Sequence, residues 1–299
     1  MKIFLIKIVI FFAGVLFIDI AFGQVFDALK VKARGGATLR DNFICTEMKS
    51  NVLTVGSSCC EHHYNSSIME DSLGKSTYNA GQSGNGIIVA YARYKMVCER
   101  HKPELLIYDI TPDFDLLEGF DNHRYLTWLK SYYQKDFVKE IFETIDSTEK
   151  YKMMSRMYAY NSRFIEILID YLHPILDKGV KGYVPLEGEL DSMKIRQEHQ
   201  TIITQYKFDK VKMGYITRLI DAVGSDSIIF VASPRWYGMD KRSFEPLVNL
   251  CKNRGVRFLD FANNPKYVHN DYYFKDGVHL NSRGADEFTK DLIKVIKPN

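Results

Sequence analysis

Cysteine is scarce in this chain and badly spaced for a disulfide scaffold. The 299 residues include five cysteines: Cys45, Cys59, Cys60, Cys98 and Cys251. The number is odd, the spacing is irregular, and the vicinal pair Cys59-Cys60 cannot easily bridge to itself, which excludes the stapled framework of a small secreted domain. One bridge in an oxidising compartment stays open. No CxxC pair and no CxxC…HxxxH spacing occurs, so no structural zinc site, and no metal or cofactor, is expected. The absence of a GxxxxGK[ST] run excludes a P-loop phosphate site. Basic residues are scattered and the net charge is only +3, so nucleic acid is not expected as a partner. Internal repeats, low-complexity tracts and a second membrane-length hydrophobic segment are all missing.

What is present points to a globular protein. Hydrophobic residues make up 46% and charged residues 26%, enough to build a core and too apolar for disorder. The 19 Tyr and 19 Phe suit a packed core or a surface that handles sugars and other flat ligands. At the start, Lys2 and Lys7 precede an apolar run over 8–18 that Asp19 interrupts. That length suits a signal-peptide core, and Ala21-Phe22-Gly23 has the small-x-small pattern of a cleavage site. Residues 3–22 could equally cross a bilayer, with Lys7 and Asp19 at its two interfaces. Residues 1–23 are therefore a signal peptide or an N-terminal membrane anchor. In either case the remainder is exported, on the periplasmic side of a membrane. Residues 24–50, with a turn at Arg34-Gly35-Gly36, form a lead-in, and the main domain is 51–299.

Within that domain the pattern alternates. Short apolar runs at 51–55, 76–79 and 105–110 read as strands, separated by a helix over 59–69 and a stronger one over 87–100. Strands return at 227–232 and 256–260, with helices over 244–253 and 283–296. Strand-helix alternation of this kind predicts a parallel α/β sheet. Residues 116–219 read as a helical insertion, with an irregular loop over 179–189.

Ligands of parallel α/β sheets gather at the C-terminal ends of the strands. Three chemistry-bearing segments fall there or just before the last helix: Gly56-Ser57-Ser58, the glycine-rich run from Asn79 to Gly86, and Asp276-Gly277-Val278-His279. A serine becomes a nucleophile only when a base takes its proton. His279 could be that base, and Asp276, three residues earlier, could orient its ring and stabilise the imidazolium. Backbone N–H groups near Ser58 and Gly81 could hold an oxyanion. Taken singly, a Gly-Ser-Ser turn usually only starts a helix, and an Asp-x-x-His pair is usually a local cap. His62-His63 lie on different sides of a helix and make a poor metal pair. Arg235, in Ser233-Pro234-Arg235 at a strand end, could meet an anionic substrate group or form a structural ion pair. Asn65-Ser66-Ser67 matches the N-glycosylation pattern.

Together these blocks resemble the SGNH (GDSL-type) hydrolases. Gly56-Ser57-Ser58 is similar to their first block, Asn79-Ala80-Gly81 to their glycine block and Asp276-x-x-His279 to their closing block. The tail from Phe274 to Asn281, through Gly284, Ala285 and Phe288, resembles SGNH-like proteins that move acyl groups on cell-surface polysaccharides. The likeness covers about 51–115 and 227–296. It implies a three-layer α/β/α flavodoxin-like fold with a parallel sheet and a helical insertion, a Ser58-His279-Asp276 triad and no cofactor. It further implies acylated carbohydrate or another small ester as substrate. The sequence departs from the family at its third block, where Asp109-Ile110-Thr111-Pro112-Asp113 lacks the oxyanion-donating Asn. Loss of one such donor costs about 100- to 1,000-fold in rate. With Gly81, the substitutes at hand are Asn85 and Thr111. The alternative implied by the gap is a catalytically impaired protein that binds or helps assemble polysaccharide.

Overall fold

Five short runs of buried apolar residues become five parallel strands: β1 (Val52–Gly56), β2 (Thr77–Asn79), β3 (Leu105–Asp109), β4 (Ile228–Ala232) and β5 (Arg257–Asp260). They form one sheet in the order β2-β1-β3-β4-β5, with every neighbouring pair parallel. Continuous burial along β1 and β4 is what a parallel sheet covered on both faces requires. The order is that of flavodoxin-like doubly wound sheets, and it reverses direction between β1 and β3. The computed structural model describes residues 1–119, 122–173, 179–191 and 205–297.

Helices cover both faces. Helix Lys210–Val223 packs on helix Ile87–Cys98, and helix Ser282–Ile296 packs on helices Ser58–His63 and Ser66–Leu73. On the second side Val52, Ile107, Ile229 and Val231 share a core with Phe288, Leu292 and Ile296. The fold is thus the expected three-layer α/β class. Two details differ from the sequence reading. The helix expected over 59–69 breaks at Tyr64-Asn65, because the Asn65 side chain accepts from the N–H groups of Ser67 and Ile68 and starts a new helix. Helix Lys210–Val223, which begins inside the stretch read as an insertion, is instead part of a covering layer of the sheet. The parts of that stretch at 120–121, 174–178 and 192–204 lie outside the described residues.

By contact the chain divides into two compact units. One comprises Glu47–Asp121 with Lys178–Asn299 and holds the sheet; the other comprises Met1–Thr46 with Asn122–Asp177 and is helical. In the helical unit one helix runs from Lys2 to Val31 and another from Gly36 to Thr46, on either side of the turn expected at Arg34-Gly35-Gly36. The first is long and apolar enough to cross a membrane. Large apolar side chains from Ile3 to Ile18 are exposed. Asp19 accepts from Ser155 Oγ at 2.6 Å and from the N–H groups of Arg156 and Met157 at 2.8 and 2.9 Å. A carboxylate at that position satisfies donors that open helix Arg156–Tyr160. All five cysteines are free thiols.

Candidate active site

The turn after β1 sets the first member of the site. Gly56 has φ +152, and a Cβ there would come within 2.6 Å of the Asp109 carbonyl oxygen, so only glycine fits the close approach of β1 to β3. Ser57 follows as N-cap residue, and Ser58 opens helix Ser58–His63. The hydroxyls of Ser57 and Thr111 lie 2.9 Å apart, joining the ends of β1 and β3 at the point where the strand order reverses. Ligand crevices of doubly wound sheets form at this point.

A tight loop supplies the other two members. Phe274 and Leu280 form an antiparallel bridge, and the Lys275 N–H donates to the His279 carbonyl at 2.8 Å. Inside the loop, Asp276 Oδ1 accepts from the N–H groups of Val278 and His279 at 2.8 and 2.7 Å. Its Oδ2 lies 2.9 Å from His279 Nδ1, and His279 Nε2 lies 2.8 Å from Ser58 Oγ. Burial pushes the Asp276 carboxyl upward, but the hydrogen bond and charge of the His279 ring, with the two backbone N–H groups, outweigh it and hold the pKa at about 2. The carboxylate is therefore ionised, and a carboxylate beside Nδ1 favours the tautomer that carries its proton there, in which Nε2 accepts from the serine hydroxyl. Asn281 then caps the last helix through Gly284 N–H at 2.9 Å, and a Cβ on Gly284 would overlap the Tyr273 carbonyl oxygen.

Beneath this triad lies a second polar chain. His63 is fully buried, accepts the Leu280 N–H on Nε2 at 3.0 Å and places Nδ1 3.0 Å from Ser233 Oγ. Burial, with smaller effects of His279, Arg235 and His62, keeps its pKa well below 6.5. Asp109, at the end of β3, accepts from Tyr64 at 2.6 Å. Burial pushes this carboxyl up to about 6 against the hydrogen bonds of Tyr64 and Ser233 and the charge of Arg235. His62 takes a different place, with Nδ1 at 2.7 Å from the Val184 carbonyl and its ring 5.6 Å from that of His279.

A cavity of about 480 Å³ opens over Ser58 and His279, walled by Thr111, Phe114, Arg235, Tyr237, Met239 and Val278. Thr111 is fixed by its N–H to Asp115 Oδ2 at 2.7 Å, and buried Lys212 donates to the carbonyls of Asp113 and Leu117 at 3.1 and 2.6 Å. Of the three residues expected to aid an oxyanion, Thr111 lines this cavity and the other two stand outside its lining. The Gly81 N–H donates to Asn79 Oδ1 at 2.9 Å, and Asn85 Nδ2 donates to Gln82 Oε1 at 3.0 Å. The Gly81 N–H and one of the two Asn85 amide N–H donors thus meet local side-chain acceptors.

The helical unit brings together one set of metal-type ligands among the described residues: His123, Asp146 and Glu149. The Lys152 ammonium already sits 2.6 Å from Glu149 and 3.4 Å from Asp146, and the Tyr158 hydroxyl donates to Glu149 at 2.9 Å. One ammonium thus already sits between these two carboxylates.

No protein-family model matches the chain, and no curated protein does. Among solved structures it is similar to a proposed acylhydrolase from Bacteroides fragilis, with 11% identity over 87% of this chain and 96% of that one and a TM-score of 0.41. A proposed platelet activating factor from Streptococcus pneumonia aligns at 12% identity over 97% of this chain and 98% of that one, with a TM-score of 0.37. A gut microbial diltiazem-metabolizing enzyme aligns at 12% identity over 82% of this chain and 46% of that one, with a TM-score of 0.36.

Proposed function

We propose that this chain is an exported acyl-ester hydrolase or O-acyltransferase of the SGNH type, acting through Ser58, His279 and Asp276. The observation that carries the reading is the continuous line of hydrogen bonds from Ser58 Oγ to His279 Nε2 at 2.8 Å and from His279 Nδ1 to Asp276 Oδ2 at 2.9 Å. Its members come from opposite ends of the sheet domain.

In this reading His279 Nε2 takes the Ser58 proton as Oγ attacks the acyl carbonyl carbon. Asp276 stays ionised, orients the ring and stabilises the imidazolium. The oxyanion forms beside the Ser58 N–H at the positive end of its helix. The Thr111 hydroxyl, which accepts from Arg235 at 3.3 Å, donates to the oxyanion when the Ser57 hydroxyl, 2.9 Å away, turns its own proton toward Thr111. Collapse of the tetrahedral intermediate expels the alcohol with the proton from His279 and leaves the acyl group on Ser58. Water, deprotonated in turn by His279, releases the acid; a sugar hydroxyl in its place gives a new ester. The proposed substrate is acylated carbohydrate at the cell surface.

The helical unit favours a retained anchor over a cleaved signal. Helix Lys2–Val31 runs unbroken through Gly23, and Asp19, before that position, is bonded to Ser155, Arg156 and Met157. Turnover of 4-nitrophenyl acetate by the full chain in detergent tests the chemistry. Ser58→Ala and His279→Ala should each lower kcat by about 1,000-fold or more. Turnover that survives Ser58→Ala would refute the assignment.

A further inference from the structure

The reactive cavity contains a buried cation, Arg235, that makes no ion pair with any acid among the described residues. Arg235 is 8% exposed and lines the same walls as Ser58 and His279. A guanidinium offers five N–H donors. Those of Arg235 make two long bonds, from Nη2 to Thr111 Oγ1 at 3.3 Å and from Nη1 to the Val278 carbonyl at 3.5 Å. Among the described residues no acid pairs with it. Asp109 feels its charge from below but commits its short hydrogen bond to Tyr64 at 2.6 Å. Asp113 shares the cavity wall and makes no ion pair with Arg235.

We propose that Arg235 receives an anionic group of the substrate, so that the ester taken by this site is acidic, with a carboxylate on its acyl or its alcohol half. Burying an arginine without a counter-ion is unfavourable, and the cost is recovered when an anion enters and takes up the planar N–H fork. The position is suited to selection. Thr111 and Val278 hold the guanidinium between the end of β3 and the loop that carries His279, so an anion bound there lies in the same cavity as the attacking oxygen. Phe114, Tyr237, Met239 and Val278 provide an apolar wall for the carbon chain between the anion and the ester. The volume, about 480 Å³, falls within the ~300–1,000 Å³ of ordinary small-molecule sites. The inference rests on the acyl-transfer reading for the position of the reacting carbon.

Two substrate pairs locate the anion: 4-nitrophenyl hemisuccinate, with the charge on the acyl half, and O-acetyl-lactate, with the charge on the alcohol half, each beside its own neutral methyl ester. The expected result is that one acidic ester is preferred over its methyl ester and that Arg235→Gln lowers its kcat/KM about 100-fold, the worth of one charge-assisted bidentate contact. The loss on the methyl ester should be at least about tenfold smaller, and Arg235→Lys should fall between, since an ammonium keeps the charge but not the fork. Equal losses on acidic and neutral esters would overturn the proposal and assign Arg235 to the oxyanion common to all esters. No preference for either acidic ester would overturn it as well. Fluorophosphonate labelling of Arg235→Gln shows that the variant is folded.

If no ester is turned over at all, calorimetric binding of succinate to Ser58→Ala separates the two ideas. Binding that is lost in Ser58→Ala/Arg235→Gln supports the anion site while the acyl-transfer reading falls. No binding to Ser58→Ala overturns the anion site too.

Discussion

The main-chain N–H of Leu280 donates to Nε2 of His63 at 3.0 Å, joining residues 217 apart in the sequence. His63 closes the short helix that Ser58 opens, and Leu280 directly follows His279, so this bond ties the helix that carries Ser58 to the loop that carries His279. His63 acts through other residues and is a positioning residue. Replacing it with Phe leaves the buried Leu280 N–H without its acceptor, at a cost of about 1–3 kcal/mol. Urea unfolding should show that loss, and kcat for 4-nitrophenyl acetate should fall with little change in KM. A variant with wild-type kcat would show that the bond does not position His279.

The same buried chain sets a pH dependence. His63 has a native pKa well below 6.5, so below about pH 6.5 the unfolded chain binds a proton that the native state refuses, and stability falls as pH falls. Asp109 acts in the opposite sense. Its native pKa is raised from 3.8 to about 6, so the native state keeps a proton that the unfolded chain has lost, and stability falls as pH rises from about 4 to about 6. Asp109→Asn removes the second effect and uncovers the first. Its stability should drop more steeply than that of the wild type on acidification from pH 6 to pH 4, by up to ~1.4 kcal/mol per pH unit. Urea midpoints across that range measure the difference; equal slopes would contradict it.

Gly81 is required for packing. A Cβ on it would lie 2.6 Å from the Cys60 Cβ and 2.6 Å from the Glu61 N, in the helix that Ser58 opens. Gly81→Ala should therefore cost about 1–3 kcal/mol as an overpacked contact and should lower kcat by displacing that helix. Thermal unfolding together with ester turnover checks both parts. A stable, fully active Gly81→Ala protein would show that the approach can relax.

Asp19 bears on the fate of the leader. Replacing it with Ala removes the acceptor for Ser155, Arg156 and Met157 and should destabilise the helical unit by about 1 kcal/mol, seen as faster proteolysis near Arg156–Tyr160. Mass spectrometry of the protein isolated from membranes should find residues 1–23 still attached. A mature chain beginning at Gln24 would show that the leader is a cleaved signal.

Much of this architecture can be read from local sequence, and the exceptions share a physical cause. The strands are legible because a parallel sheet buried on both faces needs unbroken apolar runs such as Ile228–Ala232. Asp276 and His279 are legible because three residues of loop suffice to bring carboxylate and ring together, and Ser58 because a glycine turn follows an apolar strand. The fate of Gly81 and Asn85 is not legible. Their sequence shows glycine and amide groups, but whether these donors face a ligand depends on which of Asn79 and Gln82 reaches them first. His63 carries no local signal, since its partners Ser233 and Leu280 are distant in sequence. The helix break at Asn65 was available in Asn65-Ser66-Ser67, whose first side chain caps the next helix.

The central claim is that Ser58 is an activated nucleophile with His279 as its base. Labelling the full chain in detergent with a fluorophosphonate probe, beside Ser58→Ala and His279→Ala, tests it without knowledge of the substrate. The account predicts stoichiometric labelling of the wild type on Ser58 and none in either variant. Labelling that persists in Ser58→Ala, or a folded wild type that does not label, would contradict it.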